Sequence, residues 1–599
     1  MIRTRNEVPK EECWNVEAFY PTLQKWQNDL ESAEGTKKFP RWPDLGSYKG
    51  TLKDSPEAVA RFFDAYFGLQ RQLYKLHTYA HLRLDEDLGN DSLKKNFGLI
   101  TSLIHDFQLE FSWVEPELLS LGDDEFKKII ENPLLQEYRF YLEKIGRMRP
   151  HILTREMEEL IAMGGKALET PYKVFGVLNN ADLTFAPATT KGGEKRELTA
   201  GTYLLYLRDE DRQLRKSAFE ELHRGYQKYA NTFCELIQGQ VQSHLFVAKA
   251  RNFKDCREAA LFPFAVEGSV YDMLIDVINR NLPSLQFYIG LRKKLLKLDE
   301  LHPYDLAVSL VPELQMKKSF SEACELVVES VAPLGAEYQQ TLKKGLLEEG
   351  WVDPFENKSK RSGAYSSGCY DSMPYILMNY HGTFQDILTL AHEAGHSMHS
   401  YLSRKNQPYV YASYPIFVAE VASTFNEQLL LNLLKKRAKT NRERAYYICT
   451  EIEGIRTTIF RQTLFAEFEL LIHRFAEQGV PLTPSLLKDA YLELNRKYYG
   501  SELILDAGIE AECFRIPHFY YDFYVYQYAT GLSAAIDLYE RCMASHEARD
   551  RYLQFLKSGG SRYPLDLLQL AGIDLRKSKT IEAAMRRFVL LVDEFQKLL

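Results

Sequence analysis

Thr383-Phe384-Gln385-Asp386-Ile387-Leu388-Thr389-Leu390-Ala391-His392-Glu393-Ala394-Gly395-His396-Ser397-Met398-His399 carries an H-E-x-x-H pattern inside a segment that reads as helix. After Gly382, Thr383 and Asp386 form a Thr-x-x-Asp capping box, which starts a helix nine residues before His392. Phe384, Ile387, Leu388, Ala391, Ala394, Gly395 and Met398 then recur at helical spacing, so the predicted helix covers about 383–403. On it, His392 and His396 lie one turn apart on one face and can share a metal ion, with Glu393 beside them as a base. The plainer alternative is a surface helix with solvated histidines. Three histidines in eight residues, of 14 in the chain, favour the metal.

A catalytic zinc needs three protein ligands and an open position. The metzincin form of the motif would place Gly at 399 and His at 402, where this chain has His399 and Leu402, so it is excluded. The other solution is a carboxylate from a second helix. Ile416-Phe417-Val418-Ala419-Glu420-Val421-Ala422-Ser423-Thr424-Phe425 is apolar or small except for Glu420, and a charge in such a helix is costly unless paired or ligating. Glu420 is therefore the expected third ligand. Glu427, one heptad further on, is read as a solvated residue rather than a partner of the site, and His399 as a candidate substrate contact.

With His392, His396 and Glu420 holding one zinc ion per chain, a bound water and a scissile carbonyl would both be polarised. Glu393 would take the water proton and pass it to the leaving amine. A second constellation follows Pro517: His518, Tyr520, Tyr521, Tyr524, Tyr526 and Tyr528 lie within eleven residues. Read as one helix from Pro517, it stacks His518, Tyr521 and Tyr528 on one side with Tyr524 between them. These phenol and imidazole donors suit a substrate carbonyl or an oxyanion, and an aromatic packing helix is the alternative.

Three runs carry a resemblance: His-Glu-Ala-Gly-His-Ser-Met-His at 392–399, Phe-Val-Ala-Glu-Val-Ala-Ser-Thr at 417–424, and Pro-His-Phe-Tyr-x-x-Phe-Tyr-Val-Tyr-x-Tyr-Ala-Thr-Gly at 517–531. Together with Asp211 to Tyr226 and the stretch from Asp255 through Asp305, they resemble oligoendopeptidase F, within the thimet-oligopeptidase-like zinc metallopeptidases. The likeness spans roughly residues 10 to 595. It implies a mainly α fold: a bowl- or clam-shaped, two-lobed helical metallopeptidase with a small β element beside the zinc helix and a deep central channel. It also implies cleavage of short peptides, zinc on His392, His396 and Glu420, and Glu393 as base. His518 and Tyr521, with Tyr524 and Tyr528 behind them, are implied as contacts to substrate and transition state. Carboxypeptidase action, or peptide binding around a non-catalytic zinc, is the competing reading.

Composition agrees. At 599 residues and 45% hydrophobic content the chain can bury large cores. A net charge of −7 offers no basic footprint, so nucleic acid is not an expected partner. No run of 18 uncharged apolar residues occurs, which argues against a membrane span. The N-terminal residues lack the apolar core of a secretory signal. Eight widely spaced cysteines read as free thiols, and the expected location is the cytoplasm. Short peptides are the expected partners of a monomer or weak homo-oligomer.

Along the chain, Ser55 to Arg83, Leu93 to Leu121, Asp124 to Leu142 and a segment capped by Thr154 read as helices. Phe175 to Leu198 reads as a small hairpin and sets the expected boundary between an N-terminal helical lobe, 1–190, and a peptidase domain, 191–599. Residues 350 to 379 read as a flexible Gly-rich loop followed by a strand at Tyr375-Ile376-Leu377-Met378-Asn379-Tyr380, an edge on which an extended peptide could pair.

Overall fold

The computed structural model describes residues 2–312, 314 and 316–599, and it is mainly α-helical. The long helix Pro56–Glu86 shows how the sequence builds it: Ser55 Oγ accepts from the Ala58 amide, Pro56 takes the first-turn position, and Val59, Phe62, Phe63, Leu73 and Leu76 bury one stripe. That stripe meets Ile100, Leu103 and Phe107 of Asp91–Glu110, where the Tyr66 and Phe107 rings stack 5.0 Å apart.

The chain folds as two compact units, each drawn from three stretches: 1–149, 315–433 and 538–573 in one, and 150–314, 434–537 and 574–599 in the other. The division at 190/191 is thus a division of sequence, whereas the contacts group distant stretches. The hairpin is smaller than expected. Ala188–Thr189 pairs antiparallel with Lys195–Arg196, while Phe175 lies in the helix Thr170–Val177.

In the first unit, a three-stranded sheet lies against the helix Phe384–Asn406. Val352–Asp353 runs parallel to Tyr375–Leu377, which pairs antiparallel with Tyr365–Ser367 on its other side. The expected edge strand at 375–377 is therefore central and fully buried, and the edge nearest the motif helix is Tyr365–Ser367. Three consecutive apolar or aromatic residues suit burial on both faces, which explains the misplacement. Asp353 is buried but compensated by Arg5 at 2.6 Å and Lys360 at 2.7 Å, which ties this sheet to the chain's first residues.

In the second unit, buried Asp305 accepts from Arg212 at 2.9 Å and Arg215 at 2.8 Å, joining the helix Arg212–Lys228 to the 302–306 turn. Glu512 does the same for the segment before Pro517: Arg461 at 2.8 Å, Arg515 at 2.7 Å and the Tyr491 hydroxyl at 2.6 Å surround it. Burial opposes its ionisation, yet the two guanidiniums hold the carboxyl well below the usual range. None of the eight cysteines is in a disulfide. Among the described residues no helix is long and apolar enough to cross a membrane.

Candidate metal centre

The helix Phe384–Asn406 begins as its sequence dictates, with Thr383 Oγ1 accepting from the Asp386 amide and the Asp386 carboxylate accepting from Thr383. Its partner is the helix Ile416–Arg437. The two backbones approach closely at Gly395, where a Cβ would stand 2.6 Å from both the Ala422 carbonyl oxygen and Ser423 Cα. Only glycine fits there, and this contact brings Glu420 over the two histidines.

Glu420 Oε2 stands 3.3 Å from His392 Nε2 and 3.5 Å from His396 Nε2. Ligand atoms around a tetrahedral ion at about 2.0–2.1 Å lie roughly 3.3 Å apart, so the spacing and the two-imidazole, one-carboxylate donor set fit zinc. Ser423 Oγ donates to Glu420 Oε2 at 2.9 Å and fixes the carboxylate's orientation. Burial disfavours charge on His392, but the Glu420 and Glu427 carboxylates outweigh it and push the imidazole up to about 10. Reciprocally, although burial opposes it, the two histidines hold Glu420 well below the usual carboxylate range. The negative charge of Glu420 and Glu427 holds a proton on His392, and a cation bound by the cluster would take that proton's place.

Glu427 corrects the sequence reading. It is no solvated bystander: its Oε1 lies 2.5 Å from His392 Nδ1, the arrangement in which a carboxylate holds a ligating imidazole in one tautomer and orientation. Its heptad spacing from Glu420 was the available signal.

Glu393 is 7% exposed, beside the histidines yet outside the three-residue cluster. Burial pushes its carboxyl up, opposed by His392 and His396 and by a hydrogen bond from the Ser366 backbone. Ser366 belongs to the edge strand, whose hydroxyl also meets Ser397 Oγ at 2.8 Å. Sheet and motif helix are thus fastened together at Glu393.

His399 is a second correction. It is completely buried, stacked on Tyr414 with ring centroids 3.6 Å apart and packed against Phe555, so no substrate reaches it. Burial pulls its imidazole down to about 3 and keeps it neutral. The residue lies two turns past His392 along much the same helix face, where Tyr414 and Phe555 cover it. The hydroxyl of Tyr414 contacts Ser400 Oγ at 3.0 Å, so this stack supports the motif helix from beneath.

The segment after Pro517 is not one helix. A short turn, Pro517–Tyr520, ends in two successive residues with left-handed backbone, Asp522 at φ 49° and Phe523 at φ 58°, and the next helix starts only at Tyr526. The bend nevertheless gathers the expected side chains. The His518 ring lies 5.4 Å from Tyr521, 6.4 Å from Tyr524 and 5.4 Å from Tyr528, with His518 Nε2 and the Tyr528 hydroxyl 3.2 Å apart. Tyr521, by contrast, turns its hydroxyl to that of Tyr172 at 3.4 Å, and this hydrogen bond, with burial, raises it to about 12. Tyr520 leaves the group and stacks on Phe175 at 4.4 Å.

Comparison with known proteins agrees with this construction. The model of peptidase family M3 matches residues 205–587, and that named Oligopeptidase F matches 117–185. The chain is 42% identical to oligopeptidase PepF of Bacillus subtilis over 99% of its own length and 88% of the relative's. It is 36% identical to a plasmid-borne oligoendopeptidase F of Lactococcus lactis subsp. cremoris, covering 100% and 99% of the two chains. Its fold superposes on a crystal structure of a Chlamydophila abortus peptidase with a TM-score of 0.94, 40% identity and full coverage of both chains. Oligoendopeptidase-F from Enterococcus faecium follows at a TM-score of 0.73 and 34% identity, over 97% and 99% of the chains.

Proposed function

The chain belongs to peptidase family M3, among the oligoendopeptidase F metalloendopeptidases, and from that premise we propose that it is zinc-dependent and hydrolyses internal bonds of short, unfolded peptides with Glu393 as general base. The observation that carries the proposal is the convergence of His392, His396 and Glu420 within ligand distance, with Glu393 buried beside them. A zinc ion bound there would supply Lewis-acid chemistry for the peptide carbonyl and for a water near neutrality.

The chain's own residues do the rest. His392, His396 and Glu420 would hold the ion, and two neutral imidazoles with one carboxylate would leave the site a net positive charge suited to an oxyanion. Glu393, with a carboxyl raised by burial, is suited to take a proton from water and return it to the leaving amine. The edge Tyr365–Ser367 suits main-chain pairing with an extended peptide, which gives affinity without regard to side chains. The hydroxyl and imidazole donors of His518, Tyr521, Tyr524 and Tyr528 suit contacts to substrate. Glu427 orients His392. Glu427→Gln is expected to weaken zinc affinity by about 10–100-fold, measured by chelator competition, and an unchanged affinity would remove it from the site.

A mixed library of short peptides tests the whole reading. Internal cuts that stop on metal removal and return with zinc are expected. Single-residue trimming would instead indicate a carboxypeptidase, and bound zinc with no cleavage would indicate a peptide-binding protein. A cytoplasmic location and a monomer or weak homo-oligomer complete the proposal.

A further inference from the structure

His244, His473 and Asp522 form a second cluster whose ligand atoms all lie within 4.8 Å of one another. His244 stands on the helix Ala230–Ala250, His473 on Arg461–Glu477, and Asp522 in the left-handed bend between Tyr521 and Tyr524. His244 Nδ1 is 3.0 Å from His473 Nε2 and 3.5 Å from Asp522 Oδ1. From this geometry we propose that the three side chains form a second divalent-metal site, separate from His392, His396 and Glu420, which fastens the tyrosine-bearing bend to two helices.

The surrounding hydrogen bonds favour a cation over a simple pair of histidines. His473, 1% exposed, sends Nδ1–H to the Glu469 carbonyl at 2.8 Å, so its Nε2 lone pair faces His244 and Asp522. A backbone carbonyl behind the outer imidazole nitrogen is the usual support of a ligating histidine. On the other ring, His244 Nε2 meets the Gln240 side-chain amide at 2.9 Å, while Gln240 Oε1 is buried without a partner. The two ends of an amide are interchangeable in shape. Turned over, Gln240 accepts from His244 Nε2–H through that oxygen, and His244 Nδ1 is left as a lone pair facing the cluster.

Asp522 Oδ1 is likewise buried without a hydrogen-bond partner. A metal-free relay, Gln240 to His244 to His473, satisfies the rings but leaves both oxygens unmet, and leaving buried polar atoms unmet is costly. A cation gives Asp522 Oδ1 its partner, whereas Gln240 has one amide end unmet in either orientation and does not decide between the two states. Two imidazoles and one carboxylate select a zinc-class transition ion over magnesium or calcium, which take mostly oxygen. Its effect would fall on the bend, because Asp522 and Phe523 both hold a backbone conformation that side-chain-bearing residues disfavour. Phe523 N–H is already anchored to Glu469 Oε1 at 2.7 Å, one turn before His473, and an ion on Asp522 would be the second anchor.

The test uses the full chain carrying His392→Ala and His396→Ala, so that its result does not depend on the peptidase reading. Zn2+ is titrated in, and Co2+ in parallel as an absorption probe of nitrogen and oxygen ligation. This double variant is expected to retain one equivalent of Zn2+ through gel filtration and to unfold at a higher temperature with zinc than without. Adding His473→Gln or Asp522→Asn is expected to abolish both effects. Asp522→Asn keeps the side-chain shape at a partly exposed position, so it carries the test if His473→Gln fails to fold. A double variant with no stoichiometric zinc, or zinc that persists in Asp522→Asn, overturns the proposal and leaves a hydrogen-bonded histidine pair.

Discussion

Glu393→Gln is expected to lower kcat by about 10²–10⁴-fold on an internally quenched peptide while zinc content and thermal stability stay close to those of the parent. The substitution preserves size and shape at a buried position, so the motif helix keeps its packing. It removes a carboxylate that lies outside the ligand cluster and, unlike Glu427, is not bonded to a ligating histidine. Zinc binding should survive for that reason, and only the proton acceptor is lost. The amide cannot take a proton from water, and a neutral group also ends the like-charge repulsion between Glu393 and Glu420. KM should change far less than kcat, because the missing interaction belongs to proton transfer and not to ground-state binding. Full kcat in this variant, or a loss confined to KM, would remove Glu393 from the role of base.

The convergence of His392, His396 and Glu420 was legible because their relationships are local or chemical. Two histidines at i and i+4 share a helix face in any context, and a lone charge in an apolar helix demands a partner wherever that helix lies. Glu427 was read wrongly because its role depends on how one helix is rotated against the other, which Gly395 decides through a backbone approach that no spacing rule expresses. His399 failed for a similar reason: it shares the motif's face but lies two turns past His392, where tertiary packing by Tyr414 and Phe555 covers it.

The segment after Pro517 was hidden differently. Nothing in Tyr-Tyr-Asp-Phe-Tyr forbids a helix, and the left-handed backbone at Asp522 and Phe523 is imposed by tertiary anchors such as Glu469. The tyrosines still assemble, because a tight bend and a helical turn bring similar sets of neighbours together. The two units were out of reach for a sequence reading that looked for one cut, since each collects three separated stretches of chain. The helices after Ser55 and Thr383, by contrast, followed from their caps and apolar spacing.

Glu420→Ala carries the other large effect, and it separates ligand loss from misfolding. Two histidines remain, but the site loses its only ligating carboxylate, and with it the charge that faces both imidazoles at 3.3 and 3.5 Å. Removing a mere outer partner of a metal ligand costs about 10–100-fold in metal affinity, and removing the ligand itself costs at least as much. Zinc affinity is therefore expected to fall by at least about 10²-fold. Purified Glu420→Ala should therefore emerge from a low-zinc buffer without metal at the motif histidines and without activity. Excess zinc should restore part of the activity, since His392, His396 and the Glu427 support remain in place. That partial rescue distinguishes a weakened site from an unfolded chain, which zinc would not revive. Glu420→Asp should fall between alanine and the parent, because its carboxylate is one methylene short of the histidines. If Glu420→Ala keeps zinc at the motif histidines, tested with His473→Gln also in place so that any ion at the second cluster is not counted, the third ligand must be sought elsewhere, and Glu427, already in contact with His392, becomes the residue to replace next.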